Sequence, residues 1–220
     1  MREIFTIGHS SHSNSAFVAL LKRHGINCIV DVRSMPYSKY SPQFNKTEIK
    51  RFLLEQGISY IFMGNELGAR RKDRSLYSSE GYLDFEKTSK SLSFINGINR
   101  VNDGVDKGYT IALMCAEKDP IDCHRNILVA RQLFKQGYDV LNVLNDGSIE
   151  KQDHLEARLL DLYFPKRDQI SLLDSINFDL DNEKMELLKK AYSLRNKEIG
   201  YNPKKAKEST KDEIIYNWVY

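Results

Sequence analysis

Between Cys115 and Arg125 the chain reads C-A-E-K-D-P-I-D-C-H-R. Five side chains in that stretch can do chemistry: two thiols, the Glu117 carboxylate, the His124 imidazole and the Arg125 guanidinium. A thiol attacks or ligates as the thiolate, and cationic neighbours or a helix start favour that form. Cys115 and Cys123 are therefore candidate nucleophiles, with His124 as a candidate acid–base group and Glu117 orienting it. The plainer alternative is that Cys115 is a small apolar residue closing a strand. The gap between the two cysteines is not the two-residue spacing of thioredoxin-like redox motifs. Cys115, Cys123, His124 and His9 also make a thiolate–imidazole set suited to zinc. Their only close pair is Cys123-His124, and adjacent side chains tend to diverge, so the spacing predicts no metal ligands.

Two further polar groups follow apolar runs: His9-Ser10, and Asp31 with Arg33. His9 joins the acid–base candidates and Asp31 the orienting ones. Arg33 and Arg125 suit bidentate bonds to phosphate or carboxylate. Ser10 and, on the two-proline loop, Tyr37 and Lys39 are candidate substrate contacts. Arg70, Arg71, Lys72 and Arg74 make a basic cluster whose plain reading is a solvated loop. Glycine-rich phosphate loops, GxSxG elbows and HExxH pairs are all missing from the sequence.

These groups need a scaffold that brings distant strand ends together. Short apolar runs at Ile4–Ile7, Ile26–Arg33, Ile58–Met63, Tyr109–Met114 and Tyr138–Leu144 alternate with amphipathic segments, and the turns between them are short. That alternation predicts a three-layer α/β fold with a mainly parallel five-stranded sheet. A barrel of the same units is the alternative. In an open parallel sheet His9, Asp31 and Cys115 share the carboxyl edge, where ligands bind. The alternation stops near Pro165, which divides the chain into a core domain, 1–165, and a mostly helical C-terminal extension, 166–220, with a lysine-rich flexible segment.

The 220 residues carry a net charge of +3, enough to tolerate a phosphate-bearing partner without demanding one. Three cysteines argue against a secreted disulfide framework and for a reducing compartment. No run reaches the ~20 apolar residues of a spanning helix and the start lacks a signal-peptide core. The expected home is the cytoplasm, with no membrane partner.

Several separate motifs also resemble one family. T-I-G-H-S at the start, D-V-R-S-M-P after the second run, S-P-Q-F-N beyond it, Leu67-Gly68, L-M-C-A-E and C-H-R occur in the order of the family catalogued as domain of unknown function 488. Asp146-Gly147 with His154-Leu155, and Ala191-Tyr192 with Arg195-Asn196 and Ile199, resemble its C-terminal pattern. The resemblance implies a shared α/β core marked by His9, Ser10, Asp31, Arg33, Cys115, Glu117, Cys123, His124 and Arg125. It brings no reaction and no cofactor. One departure is Lys39, where the family pattern often has arginine: the charge is kept and the planar fork is lost.

Two functional readings follow. The first is an enzyme acting on an anionic substrate, a nucleotide or nucleic acid, with Cys115 or Cys123 attacking and His124 or His9 moving protons. The second is a non-catalytic nucleic-acid-binding or redox-regulatory module built on the same edge. A metal-dependent hydrolase is a third.

Overall fold

The computed structural model describes residues 2–9, 12–166 and 180–206. Its strands are β1 (Glu3–Gly8), β2 (Cys28–Asp31), β3 (Ser59–Phe62), β4 (Ile111–Cys115), β5 (Asp139–Val143) and β6 (Ile149–Lys151). They form one sheet in the order β3-β2-β4-β1-β5-β6. The first five run parallel, as expected, and β6 adds a short antiparallel edge on β5. The helices are α1 (Asn14–Arg23), α2 (Lys46–Glu55), α3 (Gly64–Leu67), α4 (Phe85–Ser89), α5 (Leu92–Asp106), α6 (Arg131–Lys135), α7 (Gln152–Tyr163) and α8 (Leu180–Ile199).

Helices cover both faces of the sheet, which is why its strands read as mainly apolar runs. Successive residues of a strand point to opposite sides. Phe5, Ile29 and Ala112 meet Phe17 and Leu21 of α1 and Ile49 and Leu53 of α2. Their neighbours Ile4, Val30 and Leu113 share the other core with Phe94 and Ile98 of α5, Leu133 of α6, Leu155 and Leu159 of α7, and Tyr192 of α8. The C-terminal helix α8 thus packs into the same core as the sheet.

Three segments are more divided than their apolar spacing alone shows. Apolar residues at helical spacing run from Tyr82 to Val101, yet two helices form there, because Ser91 breaks the run and caps α5 through Phe94 N–H. The helical pattern from Glu150 to Tyr163 becomes a helix only from Gln152, since Glu150 and Lys151 pair with β5. The loop Gly64–Gly81 contains α3, a 3-10 turn at Arg74–Leu76 and a bridge from Tyr77 to Leu83. The apolar residues 214–220 and half of the lysine-rich segment, 202–211, lie outside the described residues.

The strand order places one feature of consequence. The chain leaves β1 through α1 towards β2, and leaves the adjacent β4 towards β5, in the opposite direction and onto the opposite face. The two connections part between β1 and β4. In open parallel sheets that divergence opens a crevice at the carboxyl edge.

Candidate functional site

Most of the candidate side chains meet at that edge. Gly8 lies in register with Cys115, and Asp31 with Met114. Past the strands, His9 N–H donates to Cys115 O (2.9 Å) and Val32 N–H to Met114 O (3.1 Å). His9, Asp31, Val32 and Cys115 are thus lined up across three adjacent strand ends.

After Cys115 the chain makes a 3-10 turn, Pro120–Asp122, capped by Asp119, whose carboxylate accepts from Ile121 N–H (3.0 Å). Arg158 of α7 clamps Asp119 (2.6 Å), and Arg195 of α8 donates to Ile121 O (3.0 Å). Cys123 follows in extended conformation and His124 in helical conformation. That change of backbone corrects the expected divergence: both side chains turn to the same point. A π-helical segment, Arg125–Ala130, then begins, a rare geometry that often accompanies functional sites.

At that point Cys115 Sγ lies 3.7 Å, and Cys123 Sγ 4.0 Å, from His124 Nδ1. Cys123 Sγ donates to Glu117 Oε2 (2.9 Å) and accepts from the Arg125 backbone N–H (3.3 Å). His124 Nε2 lies 3.0 Å from Val32 O. A carbonyl only accepts, so this nitrogen carries hydrogen and Nδ1 is the one facing both sulfurs. The cysteines are buried, while His124 is partly exposed.

The electrostatics separate the two thiols. Burial, then the hydrogen bond and charge of Cys123, hold the Cys115 thiol well above its ordinary range. Burial also pushes Cys123 up, but the hydrogen bond from Cys115, the charge of Arg125 and His124 bring it down to about 6. Burial works against charge on Glu117 too; His124 and the hydrogen bonds of both thiols nevertheless hold its carboxyl at about 2. On His124 the burial penalty is outweighed by Cys123 and Glu117, so its pKa is raised. The third cysteine, Cys28, lies in the core, where burial pushes its thiol up to about 11.

Beside this cluster stands a second one. Asp31, fully buried, accepts from Arg33 Nε (2.9 Å), Arg33 Nη2 (2.7 Å), the Arg33 backbone N–H (3.0 Å) and the Tyr60 hydroxyl (2.6 Å). Arg33 reaches on to Phe44 O (2.9 Å) and to His9 Nε2 (3.0 Å). A guanidinium cannot accept, so Nε2 does, and His9 is neutral with its proton on Nδ1. The His9 ring stacks on Phe44 at 4.3 Å.

The expected roles shift accordingly. Arg125 is a strut: fully buried, it donates to Glu117 O (2.7 Å), Lys118 O (3.4 Å) and Thr6 Oγ1 (3.4 Å), and those carbonyls take the guanidinium expected to hold an anion. Arg33 is likewise engaged, by Asp31, Phe44 O and His9. Tyr37 and Lys39 stand exposed on the proline loop, with the Lys39 ammonium 4.9 Å from the Tyr40 ring centre, so the structure does not bury them with the cluster. Ser10 lies outside the described residues.

Composition alone did not show the polar chain behind the site. Thr6 donates to Asn142 (2.7 Å), Asn126 to Asn142 (2.8 Å) and Gln152 (2.9 Å), Gln152 to the Tyr192 hydroxyl (3.0 Å), and that hydroxyl to Glu156 (2.8 Å). The one available signal was Asn142, an amide set between the apolar Leu141 and Val143 of β5.

The basic cluster folds into a groove of about 1030 Å³ lined by Ser34, Arg70, Arg71, Arg74, Tyr77 and Tyr201, among others. Ser34 Oγ accepts the Arg70 backbone N–H (2.8 Å), and the Arg70 guanidinium lies 4.7 Å from the Tyr201 ring centre. Ser34 follows Val32 and Arg33 directly, so the groove begins where the buried clusters end.

An α/β protein with an open, mainly parallel sheet and a thiol–imidazole–carboxylate centre at its switch point is the class that fold and site define. Residues 13–132, more than half of the chain, match the family model described as Domain of unknown function DUF488. The chain belongs to that family. The matched segment holds Asp31, Arg33, Cys115, Glu117, Cys123, His124 and Arg125, but neither His9 nor the C-terminal motifs. No curated protein and no solved structure matches the chain. Among the described residues no helix is long and apolar enough to cross a membrane.

Proposed function

We propose that this protein is an enzyme that acts on a phosphate-bearing substrate, a nucleotide or nucleic acid, at the crevice between β1 and β4. The observation that carries the reading is the meeting of Cys115, Cys123, His124 and Glu117 at the switch point. The chemistry is assigned to that centre, where Glu117 is held ionised beside Cys123. Asp31 braces Arg33, and Arg33 fixes the His9 ring, so these three shape the crevice wall. The preference for phosphate rests on the adjoining groove, where Arg70 and Arg74 lie over the rings of Tyr201 and Tyr77, a pairing that suits phosphates and stacked bases.

Two measurements test it. Binding of a fluorescently labelled single-stranded oligonucleotide is followed across salt concentrations, and turnover of that oligonucleotide and of bis(p-nitrophenyl) phosphate is assayed beside it. The Arg70→Ala/Arg74→Ala variant is expected to lose about two from the slope of log affinity against log salt. Cys123→Ser and Glu117→Gln are expected to bind normally and lose turnover by about 100-fold or more. Undiminished turnover in both would overturn the assignment. Salt-dependent binding without any turnover would make the protein the non-catalytic binding module instead.

A further inference from the structure

We infer that Cys115, Cys123 and His124 form a binding site for a soft divalent metal ion, zinc in the first place, with a fourth position left for water or substrate. The inference concerns the centre described above and rests on the proposed function only for the use made of the ion.

Three donors of the right kind converge. Cys115 Sγ, Cys123 Sγ and a ring nitrogen of His124 all lie within 4.8 Å of one another. Tetrahedral zinc, with bonds of about 2.3 Å to sulfur and about 2.0 Å to nitrogen, sets sulfur and nitrogen ligands about 3.6 Å apart. The separations of 3.7 and 4.0 Å from Nδ1 need only small side-chain adjustments.

The imidazole is presented as a ligand is. Its Nε2 is tied to Val32 O, so ring orientation is set from behind and Nδ1 faces both sulfurs. A carbonyl holding the far nitrogen is the usual support of a metal-bound histidine. The donors also come from separate elements, the end of β4 and the start of the π-helical segment, and both are braced. Arg125 anchors the loop through Glu117 O and Lys118 O, and its backbone N–H reaches Cys123 Sγ, as amide hydrogen bonds to metal-bound sulfur do.

Two thiolates and one imidazole, with a free position, are the composition of a catalytic rather than a structural zinc site. Glu117 Oε2 now accepts the Cys123 S–H (2.9 Å); loss of that hydrogen on binding would free the carboxylate to serve as a base beside the ion. Binding is balanced by protons: the cysteines give up their S–H hydrogens and Nδ1 any hydrogen it carries, all to solvent.

The test uses the full chain, reduced, stripped with chelator and loaded with Zn²⁺ or Co²⁺. The expected result is about one zinc per chain by elemental analysis. Co²⁺ should give thiolate-to-cobalt charge transfer and visible bands of tetrahedral intensity. These need no variant, so a variant that fails to fold cannot mask them. Cys115→Ser, Cys123→Ser and His124→Gln, checked for fold by circular dichroism, should each weaken zinc at least 10-fold, while Cys28→Ser should bind as the parent does. Absence of the cobalt bands with the thiols reduced would overturn the inference, as would unchanged zinc affinity in folded Cys115→Ser and Cys123→Ser. If no metal binds while Cys123→Ser still abolishes turnover, the metal site fails and the enzyme reading stands. If the ion binds but no phosphate substrate is turned over, the metal site stands and the proposed function fails.

Discussion

At Arg125 one residue decides whether the cluster exists. Its guanidinium ties Glu117 O and Lys118 O to Thr6, while its backbone N–H touches Cys123 Sγ. Arg125→Met would keep the packing volume and take the guanidinium donors away from Glu117 O and Lys118 O. Charged hydrogen bonds of this kind contribute about 1.5–3 kcal/mol each. The expected loss is about 3 kcal/mol or more by urea denaturation, and a loss below about 1 kcal/mol would show that Arg125 is not a strut. The residue types of the site were legible from the sequence alone; their roles were not. Arg33 and Arg125 read as anion holders because a guanidinium in a loop is usually free to bind. Here both are buried, and a buried charge persists only with partners.

Among the elements, the ends of β1 and β4 set the spacing of the centre. A Cβ on Gly8 would run into the backbone carbonyl of Glu117. Gly8→Ala should therefore displace the Glu117–Lys118 segment, with a cost of about 1–3 kcal/mol. Hydrogen exchange is expected to accelerate over residues 116–123 while α2 stays protected, and unchanged protection across both would refute this. The five parallel strands were readable because most of their residues are buried against one helical layer or the other, which leaves mainly apolar runs. β6 was not, because three edge residues, Ile149–Lys151, carry no pattern of their own. The break at Ser91 is hidden for a related reason: apolar spacing continues across it, and only the cap marks the new helix.

On the scale of the molecule, α8 reaches back to the site. Asn196 accepts from Phe85 N–H (2.9 Å) and donates to Leu83 O (2.8 Å), and one residue earlier Arg195 holds Ile121 O (3.0 Å). Asn196→Ala removes both bonds within the core and should cost about 1–3 kcal/mol. Because Arg195 would move with the helix, the Pro120–Asp122 turn should lose protection together with α8. Loss at α8 alone, with that turn unchanged, would show the two to be uncoupled. A division at residue 165 separates the sheet from a helix whose Ala191 and Tyr192 are buried in the sheet's own core.

By itself the sequence determined the parallel α/β class, the carboxyl-edge location of His9, Asp31 and Cys115, and the family. Those depend on alternation, strand polarity and local motif, all written along the chain. Strand order decided the rest. β4 lies between β2 and β1 because of long-range packing, and that insertion brings Val32 O behind His124 and sets Cys115 beside His9. Likewise the reversal of backbone conformation between Cys123 and His124 turns neighbouring side chains to one point. Spacing along the chain argued against a metal centre there, and only the assembled sheet edge argues for one.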